Sequence, residues 1–311
     1  MRRGILIVHP GALGDVVQAV PALLALRAAA SRAPLVFAGQ PRLGRLLVGL
    51  GVVQEALGFD GLGLSALFTD APVPGELAAL AQRFERLVSW FGSNDAAYRT
   101  RLAMLGPETI VAPPVPAEEA PVWRHLVSTL SPWGIEAPAA LAPLRVAQAG
   151  ETGPALVVHP GSGGAWKRWP VARYAQVIQS LRRRRPLEVV VHQGPADAEA
   201  AQSLVELLGG QAIALIEPPL PQLAAVLATA RAYLGGDSGV SHLAAAVGAP
   251  SAILFPAVTR RRWEPWSPTA RPIGLTGETG DVARVIREVE GLLEARRQAA
   301  RGGLATGPAP G

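Results

Sequence analysis

The sequence predicts an α/β protein of two domains, each wound around its own parallel sheet. Two observations carry that expectation. Short apolar runs alternate with longer amphipathic ones along the 311 residues, the pattern of strand–helix units around buried parallel strands. The opening also repeats: residues 5–11 read ILIVHPG and residues 155–161 read ALVVHPG. Each half thus begins with a strand, then His-Pro-Gly, then a glycine-bearing loop that enters a helix. Ligands in open α/β sheets bind beyond the carboxyl ends of the strands. Two such halves facing each other would bring both His-Pro-Gly loops to one cleft.

Taken in order, residues 5–8 read as the first strand and 16–30 as the helix after it. Strands at 35–38, 87–90 and 109–112 continue the first sheet. A Pro-rich stretch, 112–147, separates the halves and holds one helix at 118–130. The second half places strands at 155–158, 188–191, 212–216, 232–234 and 251–255. A last helix, 282–297, is expected to pack back toward the first domain. The Gly/Ala/Pro tail at 301–311 has too little apolar content to order itself. The domains are accordingly set at 1–147 and 148–300.

A composition of 49% hydrophobic and 17% charged residues supports a large core. The absence of cysteine excludes disulfides, thiol nucleophiles and Cys-ligated metals. No apolar run reaches the roughly 20 residues that a helix needs to cross a bilayer, and Met1-Arg2-Arg3 leads straight into a strand rather than a signal peptide. The expected location is the cytoplasm. Basic residues are scattered despite a net charge of +5, so no nucleic-acid partner is expected. The densest run, Arg182–Arg185, ends a helix, where it complements the dipole. Lys167 is the only lysine among 29 basic residues.

Three loops carry candidate chemistry. The first is GALGD, with Gly11, Gly14 and Asp15. It lacks the dinucleotide fingerprint G-x-G-x-x-G, which disfavours a Rossmann oxidoreductase. Asp15 either caps the following helix or presents a carboxylate able to take a proton from a hydroxyl. The second is HPGSGGAWKRWP, in which Gly161, Gly163 and Gly164 let backbone amides approach a ligand closely. Lys167 adds a mobile ammonium suited to phosphate oxygens. One of Trp166 and Trp169 is expected in the core. The third is GGDSGVSHLAAAVGAP, where a helix start with Gly239 and the Ser238 and Ser241 hydroxyls forms an anion site suited to a diphosphate. Asp237 would cap, orient a donor, or accept a sugar hydroxyl. His242 either donates to a phosphate or packs in the core.

These segments, ILIVHPGALGDVVQAVPAL, VVHPGSGGAWKRWP and GGDSGVSHLAAAVGAP, resemble three signature segments of the lipopolysaccharide heptosyltransferases of glycosyltransferase family 9, in the family's order. The resemblance implies a GT-B fold of two Rossmann-like domains, acceptor side first and nucleotide-sugar side second, and transfer with inversion. It places Asp15 on the family's general-base aspartate and Lys167 on its diphosphate lysine. Asp237, Ser238 and Gly239 fall on its Asp-(Ser/Thr)-Gly donor loop, and His242 on the histidine after it. Ser162 falls near a donor-contacting hydroxyl residue and Glu199 near a glutamate on the nucleoside side.

The implied substrates are a nucleotide sugar, ADP-heptose or a relative, and a lipopolysaccharide-core or other glycan acceptor, with peripheral contact at the inner membrane. No Asp-x-Asp motif is present, so neither a metal nor another cofactor is expected. Residues 51–69 hold no Lys or Arg, whereas family members acting on a phosphorylated inner core carry a basic cluster there. That departure points to a less anionic acceptor or a different sugar. A sugar-nucleotide epimerase of the same fold and a non-catalytic nucleotide-sugar binder are the alternatives.

Overall fold

The computed structural model describes residues 4–30, 33–147, 149–150, 152–278 and 280–304. The chain divides into two compact units. The first is Met1–Leu141 with Arg261–Trp266, and the second is Ala142–Arg260 with Ser267–Gly311.

The first unit holds five parallel strands: β1 (Gly4–Val8), β2 (Leu35–Gly39), β3 (Glu55–Gly58), β4 (Phe84–Ser89) and β5 (Glu108–Val111). Their order is β3-β2-β1-β4-β5. β1 is wholly buried because it pairs on both sides, with β2 and β4, which is why GILIV is apolar throughout. The helices are α1 (Leu13–Ala29), α2 (Pro41–Gly49), α3 (Gly75–Ala81), α4 (Ala96–Ala103) and α5 (Val122–Ser128). The helix expected at 118–130 is therefore shorter, because it starts only after Pro121.

Pro21 lies inside α1 and cannot donate to the carbonyl of Val17, one turn back. The indole Nε1 of Trp266 donates to that carbonyl instead, at 2.9 Å. The buried Gln18 amide donates to the carbonyls of Trp263 and Glu264 at 3.2 and 3.3 Å. Three bonds thus attach the returning segment Arg261–Trp266 to α1.

The second unit contains β6 (Leu156–His159), β7 (Val189–Gln193), β8 (Ile213–Ile216), β9 (Tyr233–Gly236), β10 (Ser251–Pro256) and β11 (Ala270–Leu275). All are parallel, in the order β11-β10-β9-β6-β7-β8. Its helices are α6 (Val171–Arg184), α7 (Ala198–Leu207), α8 (Leu220–Thr229), α9 (Gly239–Ala246), α10 (Ala257–Trp263) and α11 (Gly280–Leu304).

Val285, Val289, Leu292 and Leu293 of α11 are buried in the same core as Tyr174, Val177 and Leu181 of α6. The last helix therefore packs within the second unit, because its apolar stripe matches that of α6. The segment that joins the first unit is Arg261–Trp266. The tail expected to be disordered at 301–311 is helical through Leu304, and residues 305–311 lie outside those described. In both sheets the order of connection reverses beside the first strand, between β1 and β4 and between β6 and β9. The carboxyl end of such a switch point is where a parallel sheet offers a ligand site.

Candidate functional site

At the end of β1 the chain turns through His9–Gly11 into α1, whose N-cap is Ala12. Asp15 is thus the third helical residue, not the cap. Its Oδ2 accepts from the Ala12 amide at 2.8 Å, so it supports the helix start from within the first turn. His9 is buried, and burial pushes its pKa down to about 4. The ring is neutral, and Nδ1 accepts from the Gly11 amide at 3.3 Å. Gly11 is wedged in place: a Cβ there would meet His9 Cε1 at 2.7 Å and Asp15 Cβ at 2.8 Å. Gly14 lies in the first turn of α1. His9, Gly11 and Asp15 share a cavity of about 580 Å³ with Phe68, Trp90 and Phe91.

In the second unit the loops after β6 and β9 meet. A Cβ on Gly236 would sit 3.8 Å from the Gly161 carbonyl and 4.0 Å from that of Lys167. Lys167 Nζ lies 2.9 Å from Oδ2 of the buried Asp237. Ser238 is the N-cap of α9 and accepts from the Ser241 amide at 3.3 Å. The first amides of α9, at Gly239 and Val240, are the donors that a helix start leaves without intrahelical acceptors. Trp169 is the tryptophan in the core, edge-on to Tyr174 at 5.0 Å. Trp166 is exposed, with Lys167 Nζ 5.6 Å from its ring centre.

Several of the candidate side chains are engaged within the fold. Ser241 is fully buried; its hydroxyl donates to the Gly236 carbonyl at 2.5 Å and contacts the Tyr233 hydroxyl at 2.8 Å. It braces the loop. Ser162 is also buried and donates to the Gly164 carbonyl at 2.8 Å, so its proton is committed within the loop. Gly163 faces open space. His242 is buried with Nε2 4.0 Å from Asp237 Oδ1. Burial lowers its pKa to about 4, opposed by Asp237 and aided by Lys167, so it stands neutral beside the ion pair.

Glu199 is exposed in the first turn of α7. Asp197, two residues earlier, is the carboxylate that reaches the loop: a Cβ on Gly161 would lie 2.1 Å from its Oδ1. Asp197 Oδ2 is 3.6 Å from His159 Nε2, and His159 Nδ1 is 3.1 Å from His192 Nδ1. Burial holds His159 down to about 4 and His192 to about 3, and it raises the Asp197 carboxyl. Sequence reasoning missed this cluster. Its only signal was that GPADAEA holds two carboxylates, of which the first, at the helix start, is the one that folds inward.

Two parallel-sheet units with glycine loops at their switch points define a two-domain protein of the GT-B class. Escherichia coli ADP-heptose lps heptosyltransferase II has this fold: the similarity covers 94% of this chain and 99% of that one, with a TM-score of 0.74 at 20% identity. The family model for glycosyltransferase family 9 (heptosyltransferase) matches residues 130–288, and the chain belongs to that family.

Two curated relatives agree. A "Putative glycosyltransferase" of Haemophilus influenzae is 28% identical over 139 residues, 43% of this chain. "Lipopolysaccharide heptosyltransferase 3" of Escherichia coli is 32% identical over 121 residues, 36% of this chain. The matches span 40% and 34% of the two relatives' own lengths. Among the described residues no helix is long and apolar enough to cross a membrane. Nor, among them, is any group of three or more His, Cys, Asp or Glu placed to hold a metal ion.

Proposed function

We propose that the chain is an inverting glycosyltransferase that moves a sugar, heptose or a close relative, from an ADP-linked donor to a hydroxyl of a glycan acceptor. A lipopolysaccharide core is the acceptor class that the names of its relatives suggest, and peripheral contact at the cytoplasmic membrane face would follow from such a substrate. The observation that carries this reading is the Lys167–Asp237 pair beside the first turn of α9, between two glycine loops. A cation and free amides converging at a helix start suit a diphosphate.

In this reading the second unit holds the donor and the first supplies the base. The acceptor hydroxyl gives its proton to Asp15, and its oxygen forms the bond to the anomeric carbon. The bond from that carbon to the diphosphate oxygen breaks on the opposite face, so the configuration inverts. The ADP leaving group carries away the electron pair, and Lys167 with the α9 amides stabilises the charge that accumulates there. Asp237 holds Lys167 in place until the diphosphate arrives. These groups can neutralise the leaving group without a metal, so activity should survive a chelator.

The test is calorimetric titration of ADP, UDP and GDP, followed by product analysis with ADP-heptose and glycan acceptors. Preferential ADP binding and transfer to a glycan support the reading. Epimerised or merely hydrolysed donor, or no nucleotide binding, overturns it.

A further inference from the structure

The cavity of the first unit is lined by a selective set of groups. Aromatic rings come from Phe68, Trp90 and Phe91. Phe91 is held edge-on by Phe59, Phe68 and Tyr98, with ring centres 5.0, 5.6 and 5.5 Å away. The polar lining is Ser93 and Asn94 with two carboxylates, Asp15 and Asp95. Asp95 also caps α4, accepting from the Tyr98 amide at 2.8 Å, which fixes the 92–95 loop. His9 is neutral, and none of the residues lining this cavity is Lys or Arg. The guanidinium of Arg99 lies 2.5 Å from the carbonyl of Ser93, on the same loop.

Carboxylates and amides accept hydrogen bonds from hydroxyls, and an aromatic face covers the C–H face of a sugar ring. The same two carboxylates repel a phosphate or carboxylate group in a site with low dielectric walls. We propose that the acceptor's reacting end is an uncharged, unphosphorylated sugar, seated against Phe68 and Phe91 with its hydroxyls directed to Asn94, Asp95 and Asp15. The inference rests on the reading of Asp15 as the base and names the acceptor class for that site.

The probe is a panel of neutral methyl glycosides (glucose, galactose, mannose, N-acetylglucosamine and heptose) alongside their 6- or 7-phosphates. Binding to the whole protein is read by saturation-transfer NMR without donor. At least one neutral glycoside should bind, and its phosphate should bind at least tenfold more weakly. Asn94→Ala, at an exposed position, should weaken the neutral ligand, as should Phe91→Ala if circular dichroism shows it folded. A phosphorylated sugar that binds as well as its neutral form, with affinity lost in Arg99→Gln, overturns the proposal. So does a panel in which no neutral glycoside binds at 10 mM, roughly the concentration at which single-sugar affinities fall below about 3 kcal/mol. ADP binding, measured in parallel, reports on the donor site alone, so failure of the glycosyltransferase reading and failure of the neutral-acceptor reading give different results.

Discussion

In the proposed mechanism Asp15 and Lys167 each serve structure and chemistry together, so the choice of substitution decides what a measurement means. Asp15→Asn keeps an oxygen that can accept from the Ala12 amide, so thermal stability should hardly move. As the base it would be lost, and turnover should fall by roughly 10²–10⁴-fold with ADP affinity unchanged. Full activity in this variant would remove Asp15 from the mechanism. Lys167→Ala is less clean, because it strands the buried Asp237 carboxylate. Breaking a buried pair on one side costs about 3–5 kcal/mol, so the single variant should melt early as well as bind ADP weakly. Lys167→Ala/Asp237→Asn should recover much of the melting temperature yet keep an ADP affinity roughly ten- to a hundredfold below wild type. If stability and affinity recover together, Lys167 acts only through the fold.

At the scale of elements, the strands opening both units lead to a buried neutral histidine, His9 and His159, with His192 against the second and His242 buried in α9. Folded, these rings take up a proton only near pH 3–4, whereas the ordinary value is 6.5. Between those limits the unfolded chain binds more protons, so stability rises with pH across that window. The contribution is complete above about pH 6.5 and is lost as pH falls toward 4, at about 1.4 kcal/mol per unit for each ring. The raised Asp197 carboxyl acts in the opposite sense. Urea midpoints from pH 7 to pH 4 should fall, and His9→Gln should flatten the curve. A flat wild-type profile would mean that the rings are charged in the folded protein.

The same scale shows what the sequence conveyed. Central strands such as β1 and β6 are continuous apolar runs and were legible. β3 and β11 were not, because edge strands need no such run: β3 is only EALG, and β11 contains Pro272. An edge strand accepts a proline on its open side. The loops after β6 and β9 were legible as glycine-rich motifs. The roles of Ser241 and Asp197 were not, since each depends on which neighbour the tertiary fold brings within bonding distance.

Across the whole molecule, Pro21 and Trp266 form a matched pair some 245 residues apart, a separation like that of Gln18 and Trp263. Trp266→Phe would leave the Val17 carbonyl without its donor, costing about 1–3 kcal/mol. Pro21→Ala restores an amide that can reach that carbonyl along the helix. The double variant should therefore be more stable than Trp266→Phe alone, as measured by denaturant unfolding. Additive losses would show that the indole matters only as packing.

That pairing also constrains how the chain can be recombined. Because residues 261–266 belong with the first unit and their flanks with the second, the first unit is not one stretch of gene. A hybrid made by swapping everything before Ala142 with a relative would inherit a foreign strap for its first helix. A second exchange, limited to the six-codon cassette for Arg261–Trp266, should restore the fit. Inheritance of this half is therefore bipartite: the stretch before Ala142 and the cassette would have to travel together for a shuffled protein to fold.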